Sequence, residues 1–251
     1  MALSGQYLIT GAASGIGAAI AKKIAGPNCT LVLQTKSNLT GLQAIAEQCC
    51  AKGAIVHIHQ CDLTEQTDTQ TLIDFTLQKS AKLDGIVAAA GYPDWGNFDK
   101  LTVNDLLQSM LLMQQATFML MQQCAPALQS TKGSFIGISS FLAHKMQVGN
   151  SITPASASAK AGLEALIKSY AVQYAPVGIR CNAIVPGYIK KDGTQHKPIS
   201  PDALAQISKR IPAARLGLPE EVASLAEFLL SSKSRYITGQ LIHIDGGLLL
   251  N

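Results

Sequence analysis

The stretch SITPASASAKAGLEALIKSYA, Ser151 to Ala171, holds a lysine in an awkward place. Lys160 opens an apolar stripe in which Leu163, Ile167, Tyr170 and Tyr174 recur at helical spacing. It also lies near the start of that helix, where the macrodipole disfavours a cation, so something negative or hydrogen-bonding must face it. Ser156 sits one turn earlier on the same face and reaches the same cleft, although an unassisted hydroxyl is a poor proton donor. A second chemical stretch is TGAASGIG, Thr10 to Gly17, between a strand pattern and a helix pattern. Gly11 permits a tight turn, Gly15 lets backbone approach a pyrophosphate, and Gly17 allows close helix packing, while the helix N-terminus supplies free N–H groups. A third is LQTKSN, where Gln34 to Ser37 offer no acidic acceptor for a ribose 2′-hydroxyl but Lys36 can pair with a 2′-phosphate. The bland alternatives are a glycine turn without a ligand and a solvated loop lysine.

These residues need elements to hold them. Strand candidates YLIT, TLVL, IVHIHQ, GIVAAA, SFIGIS, RCNAIV and LIHI alternate with longer helical patterns such as Gly15 to Ala25 and Leu39 to Lys52. Such alternation demands crossovers, and so a Rossmann-like, doubly wound α/β fold: a parallel sheet of about seven strands with helices on both faces and ligands at the carboxyl ends of the strands. No linker, low-complexity run or internal repeat divides the 251 residues, which favours one domain over residues 1–251.

Composition excludes several classes. Hydrophobic residues make up 47% and charged residues 14%, the signature of a globule with large buried area. The longest apolar stretch, Leu106 to Met121, is broken by Gln108, Gln114 and Gln115, so no membrane span is expected. A net charge of +4 on scattered lysines is no nucleic-acid footprint. The six cysteines lack C-x-x-C spacing and read as reduced, buried thiols of a cytoplasmic protein. His57 and His59 share a strand face without a third ligand, so no metal site is expected.

Taken in order, TGAASGIG, CDLT, AAAG at Ala88 to Gly91, the pair Ser139 and Ser140, SASAKAGLEAL, GIRCNAIVPGYI and TGQLIHIDGG resemble the short-chain dehydrogenase/reductase family over nearly the whole chain. The branch they resemble most is that of the 3-oxoacyl-carrier-protein reductases. The resemblance implies an NADP cofactor, with NAD the lesser alternative. It would be held by Gly11, Ser14, Gly15, Ile16, Gly17, Lys36, Asp62, Leu63, Ala89, Gly91, Lys160, Pro186, Gly187 and Ile189. It also implies that Lys160 binds the nicotinamide ribose and that Ser140, with Ser139 as the alternative, polarises a substrate carbonyl. A homotetramer, or a heteromer with a related subunit, is the implied assembly.

The family's tyrosine is missing. Ser156 stands in its place, AAAG replaces Asn-Asn-Ala-Gly, Met110 aligns with the relay asparagine, and Lys191 aligns with the threonine after the Pro-Gly pair. The segment from Ser140 to Ser156 is also a few residues longer than the family's. His144, Tyr92 and Tyr188 lie at strand ends expected to face the cleft and are alternative proton donors. Met110, Met113, Met119 and Met121 are expected to serve core or subunit packing. In the segment Tyr188 to Pro201, implied to be a substrate lid, Lys190, Lys191 and Lys197 would attract an acidic acyl carrier or a coenzyme A phosphate. Two functions follow. One is NADP(H)-dependent reduction of a carbonyl, with a small molecule or a 3-oxoacyl thioester as substrate and a non-standard proton donor. The other is an inactive dinucleotide-binding member that pairs with an active subunit.

Overall fold

Short β-branched runs alternate with helices throughout the computed structural model, which describes residues 3–94, 96–148, 151–190 and 201–250. In chain order the elements are β1 (Gly5–Thr10), α1 (Gly15–Ile24), β2 (Cys29–Thr35), α2 (Leu39–Cys50), β3 (Ile55–Gln60), α3 (Gln66–Lys79) and β4 (Gly85–Ala88). There follow α4 (Val103–Met110), a π-helical turn (Leu111–Gln115), α5 (Ala116–Thr131), β5 (Ser134–Ile138), β6 (Gln147–Val148) and β7 (Ser151–Ile152). The chain continues through α6 (Pro154–Tyr174), β8 (Arg180–Pro186), α7 (Pro201–Lys209), α8 (Pro219–Leu230) and β9 (Leu241–Ile244).

Seven strands form one sheet in the order β3-β2-β1-β4-β5-β8-β9, every pair parallel. The expected fold class is thereby shown. Parallel strands buried on both faces read as continuous apolar runs, and successive side chains divide between two cores. Leu8 packs with Leu120, Phe135 and Ile167 on the face covered by α3, α5 and α6. Tyr7 and Ile9 pack with Ile20, Ile136 and Leu229 on the face covered by α1, α2 and α8. The strand order reverses between β1 and β4, the crevice where a doubly wound sheet binds its ligand.

Arg180 is buried at the start of β8 and closes off α8 from below. Its guanidinium donates to the carbonyls of Leu229, Leu230 and Ser231 and to Ser234 Oγ, placing a cation against the negative end of the helix dipole. α8 in turn packs along α1, the helix that starts at the glycine turn. Between Ser140 and Ser156 the chain forms a 3-10 turn (Phe141–Ala143) and an antiparallel pairing of β6 with β7.

The long apolar helix expected around Leu106 to Met121 is broken by the π turn. Of its methionines, Met113, Met119 and Met121 are buried as expected, whereas Met110 is exposed beside Leu107 and Phe118.

Candidate functional site

A cavity of about 250 Å³ opens where β1, β4, β5 and β8 end. Ile16 of the glycine turn, Ala89 and Gly91, Ser139 and Ser140, Ser156 and Lys160, and Pro186, Gly187 and Ile189 all line it. Residues spread over some 170 positions of sequence thus meet in one cavity, most of them because they follow strands that end at the same edge, Ser156 and Lys160 because α6 runs past that edge.

The glycine turn has the shape its spacing suggested. Gly11 has φ +64°, and a Cβ there would stand 2.9 Å from Ala90 Cα; at Gly17 it would stand 2.3 Å from the Gly11 carbonyl oxygen. Gly15 differs, since its φ is +54° but a Cβ would meet no atom within 4 Å. A side chain at Gly15 would thus enter open space, at the N-terminus of a ten-residue helix with no acidic residue in its first turn. Ser14 is the N-cap residue, in extended backbone. A pyrophosphate fits such a cradle.

Two residues that motif reading passed over hold the turn in place. Gln34 is buried at the end of β2; its Oε1 accepts from Gly11 N–H at 3.1 Å and its Nε2 donates to the Cys61 carbonyl at 2.8 Å. Thr10 Oγ1 accepts from the N–H groups of Ala89 and Ala90, at 3.1 and 3.2 Å, and ties AAAG to β1. Strand-end polar residues with no solvent to face were the available signal.

At the far end of the crevice Lys36 Nζ lies 2.6 Å from Asp62 Oδ2. Burial opposes ionisation of Asp62, but hydrogen bonds from Lys36 and from the Thr64 amide and hydroxyl outweigh it and hold the carboxyl below its ordinary range. Leu63 packs its side chain into the core.

Lys160 is buried, in the second turn of α6, deeper in its helix than the sequence pattern suggested. Its Nζ donates to the Ile138 carbonyl and lies against Gly91, where a Cβ would come within 3.0 Å of it. Desolvation pulls its pKa down to about 8, partly offset by the negative charge of Glu164 one turn on. Glu164 is itself buried, and its Oε1 accepts from Ser139 Oγ at 2.5 Å and pairs with His144 Nε2 at 2.9 Å. The expectation that His144 faces the cleft is corrected here: its ring turns inward to Glu164 and packs on His243, 4.8 Å between centroids. Buried charge drew the imidazole away from the opening.

Ser139 and Ser140 also part company, as adjacent strand-end residues must. Both line the cavity, but the Ser139 hydroxyl donates to Glu164 while Ser140 caps the following 3-10 turn by accepting from Leu142 N–H at 3.2 Å. Ser156 is buried, and its Oγ accepts from the Asp94 N–H at 3.3 Å. Asp94 answers with its carboxylate: Oδ1 accepts from Ser156 N–H at 2.6 Å and Oδ2 from Ala155 N–H at 3.1 Å. Thr153, the N-cap residue, makes no side-chain cap of its own, so the loop after β4 supplies it.

Tyr92 and Tyr188 do line the cavity. Tyr188 stacks on Phe141 at 4.8 Å, and burial raises its pKa against a smaller opposing effect of Arg210. Met113, rather than Met110, stands next to Lys160: its Sδ would lie 3.3 Å from a Cβ on Gly91. Met113 lies within the π turn that joins α4 to α5. Lys191 and Lys197 lie outside the described residues, and among those residues no cluster of metal ligands occurs.

Residues 11–249 match a family model described as Enoyl-(Acyl carrier protein) reductase. The chain is similar to the 3-oxoacyl-[acyl-carrier-protein] reductase FabG of Rickettsia bellii, 32% identical over 253 residues that cover 99% of this chain and 98% of that protein. Among solved structures it resembles a short-chain type dehydrogenase/reductase from Mycobacterium marinum, with TM-score 0.89 and 28% identity over 99% of this chain and 97% of that one. A short-chain dehydrogenase from Burkholderia cenocepacia in complex with NADP gives TM-score 0.90 and 27% identity, covering 99% of both chains. With the sheet order, the cavity and these likenesses in hand, the chain belongs to the short-chain dehydrogenase/reductase family of oxidoreductases.

Proposed function

We propose that the protein is an NADP(H)-dependent reductase of a carbonyl group, with a 3-oxoacyl thioester the substrate class its relatives suggest. The observation that carries this reading is the single cavity in which the glycine turn, Ser140 and Lys160 meet. When bound, the dinucleotide would supply the hydride. The turn from Gly11 to Gly17 would hold the pyrophosphate on backbone N–H groups. Asp62 and Lys36 would flank the adenosine end, with Lys36 on a 2′-phosphate. Lys160 would hold the nicotinamide ribose, while Ala89, Gly91, Pro186, Gly187 and Ile189 would wall the ring. Ser140 Oγ would donate to the carbonyl oxygen.

The same reading includes an oligomer, a homotetramer or a heteromer with a related subunit. Support comes from the exposed apolar face of Leu107, Met110 and Phe118, which α6 extends through Leu166. Six free cysteines, five of them buried, agree with a cytoplasmic location.

A second reading, an inactive dinucleotide-binding subunit, is favoured by one contact: Ser156, at the position of the family's tyrosine, is engaged with Asp94. Titration with NADPH and NADH followed by turnover on a panel of ketones and 3-oxoacyl thioesters separates the two. The reductase reading requires NADPH binding and consumption; binding without consumption on any substrate supports the inactive subunit.

A further inference from the structure

We propose that Lys160 is itself the proton donor in carbonyl reduction, and that Glu164, anchored by Ser139 and His144, is the positioning residue that keeps its ammonium charged. The inference rests on the reductase reading above and adds to it the group that protonates the substrate.

Geometry leads to it by elimination. Ser156 Oγ is drawn to the loop amide of Asp94, and a hydroxyl is in any case a feeble acid. His144 is committed to Glu164 and does not line the cavity. Tyr188 is stacked on Phe141, and burial makes its phenol a weaker acid still. Tyr92 sits at the cavity wall with 44% of its surface exposed, on a loop rather than on the helix that carries the ammonium. Lys160 is buried, lines the same cavity, and spends one of its three N–H donors on Ile138. No aromatic ring stands between it and the cavity on α6, since the residue one turn before it is a serine.

The environment also tunes it. The titratable groups around Lys160 are Glu164 on its own helix, His144 behind Glu164, Tyr92 and Asp94 on the loop after β4, and Tyr188 after β8. Asp94 is turned to the first amides of α6, and Met113 from the π turn offers only a thioether. Glu164 is thus the anion whose charge acts on Lys160, and it opposes the desolvation that drives the ammonium toward neutrality. An ammonium with a pKa of about 8 is charged at neutral pH yet gives up its proton far more readily than an ordinary lysine.

The step balances simply. With a reduced dinucleotide bound, the carbonyl carbon would accept its hydride, the π electron pair would move to oxygen, and oxygen would take a proton from Lys160 Nζ. The substrate would leave as an alcohol and the dinucleotide oxidised, and the neutral amine would regain its proton from solvent.

The test combines labelling with turnover. Competitive acetylation with acetic anhydride across pH, read by mass spectrometry, should give Lys160 a midpoint near 8 in the wild-type protein. In Glu164→Gln the midpoint should fall by roughly one unit, and the pH at which reduction declines should fall with it. Lys160→Arg keeps a cation and hydrogen-bond donors but cannot release a proton, so it should retain NADPH binding and lose about 100-fold or more in turnover. A wild-type midpoint near an ordinary lysine's, a midpoint unmoved in a folded Glu164→Gln, or turnover that survives in Lys160→Arg overturns the proposal. If Glu164→Gln does not fold, the wild-type midpoint and Lys160→Arg still decide it. Failure of the wild-type protein to bind NADPH overturns the reductase reading itself.

Discussion

Asp94 and Ser156 grip each other twice: the carboxylate of Asp94 accepts from the Ser156 backbone N–H at 2.6 Å, and Ser156 Oγ accepts from the Asp94 backbone N–H at 3.3 Å. The pair joins the loop after β4 to the first turn of α6 across 62 residues of sequence. It also engages both the backbone N–H and the hydroxyl of Ser156. Removing the carboxylate leaves the amides of Ala155 and Ser156 without their cap, so Asp94→Ala should lower stability by about 1 kcal/mol in chemical denaturation. Asp94→Asn, which keeps an acceptor, should recover more than half of that loss.

Gly15 and Gly17 of the glycine turn should fail differently. Gly15→Ala has room for its methyl but must hold a positive φ, so it should fold with a loss of about 1 kcal/mol and bind NADPH about tenfold or more weakly. Gly17→Ala must move the Gly11 carbonyl and should lose more stability than Gly15→Ala. Fluorescence titration with NADPH and thermal melts on the same samples check both.

Lys36 should set cofactor choice through a contest, since Asp62 already holds its ammonium. Lys36→Ala is expected to weaken NADPH about tenfold while leaving NADH nearly unchanged. Removing the competitor in Asp62→Asn should free Lys36 for the 2′-phosphate and raise the ratio of NADPH to NADH affinity. Binding isotherms at low salt read out both ratios.

Burial of Lys160 has a cost that pH exposes. Its folded pKa of about 8 lies below the ordinary 10.5, so between these values the unfolded chain holds more protons and wild-type stability rises with pH. Lys160→Met should therefore be more stable than wild type at pH 7, by about 1–3 kcal/mol. That advantage should shrink as pH climbs from about 8 toward 10.5. Urea melts of both proteins across this range measure the difference.

Phe118 is nearly half exposed on the face shared by α4, α5 and α6. If that face is covered in the assembly, Phe118→Glu should reduce the sedimentation coefficient to that of a smaller species. An unchanged coefficient would place the subunit contact elsewhere.

The sheet was legible because its strands carry a local signature. IVHIHQ and LIHI match β3 and β9 residue for residue, and the other strand candidates end within a few residues of the observed ones. Part of the cavity lining was legible too: Ile16, Ala89, Gly91, Ser140, Pro186, Gly187 and Ile189 lie at or just beyond strand ends, and parallel strands end together, whereas Ser156 and Lys160 reach it from within α6. What escaped were contacts that cross the fold without a pattern. Asp94 sits in a loop with no motif, Glu164 looks like any helix glutamate until Ser139 and His144 close on it, and the π turn that carries Met113 has no pattern in the sequence. His144 was expected at the opening because strand ends usually point there; a buried carboxylate was the stronger attraction.

The guanidinium of Arg180 holds the end of α8, and α8 braces α1 along its length. The position of the glycine turn is thus braced along one face of the sheet, by a helix anchored at the opposite end of the strands. Little motion is then left to be frozen at the crevice, and amide hydrogen exchange in α1 should already be slow in the empty protein. On the proposed reading, recognition of a dinucleotide at this turn would be closer to the filling of a mould than to the closing of a hand.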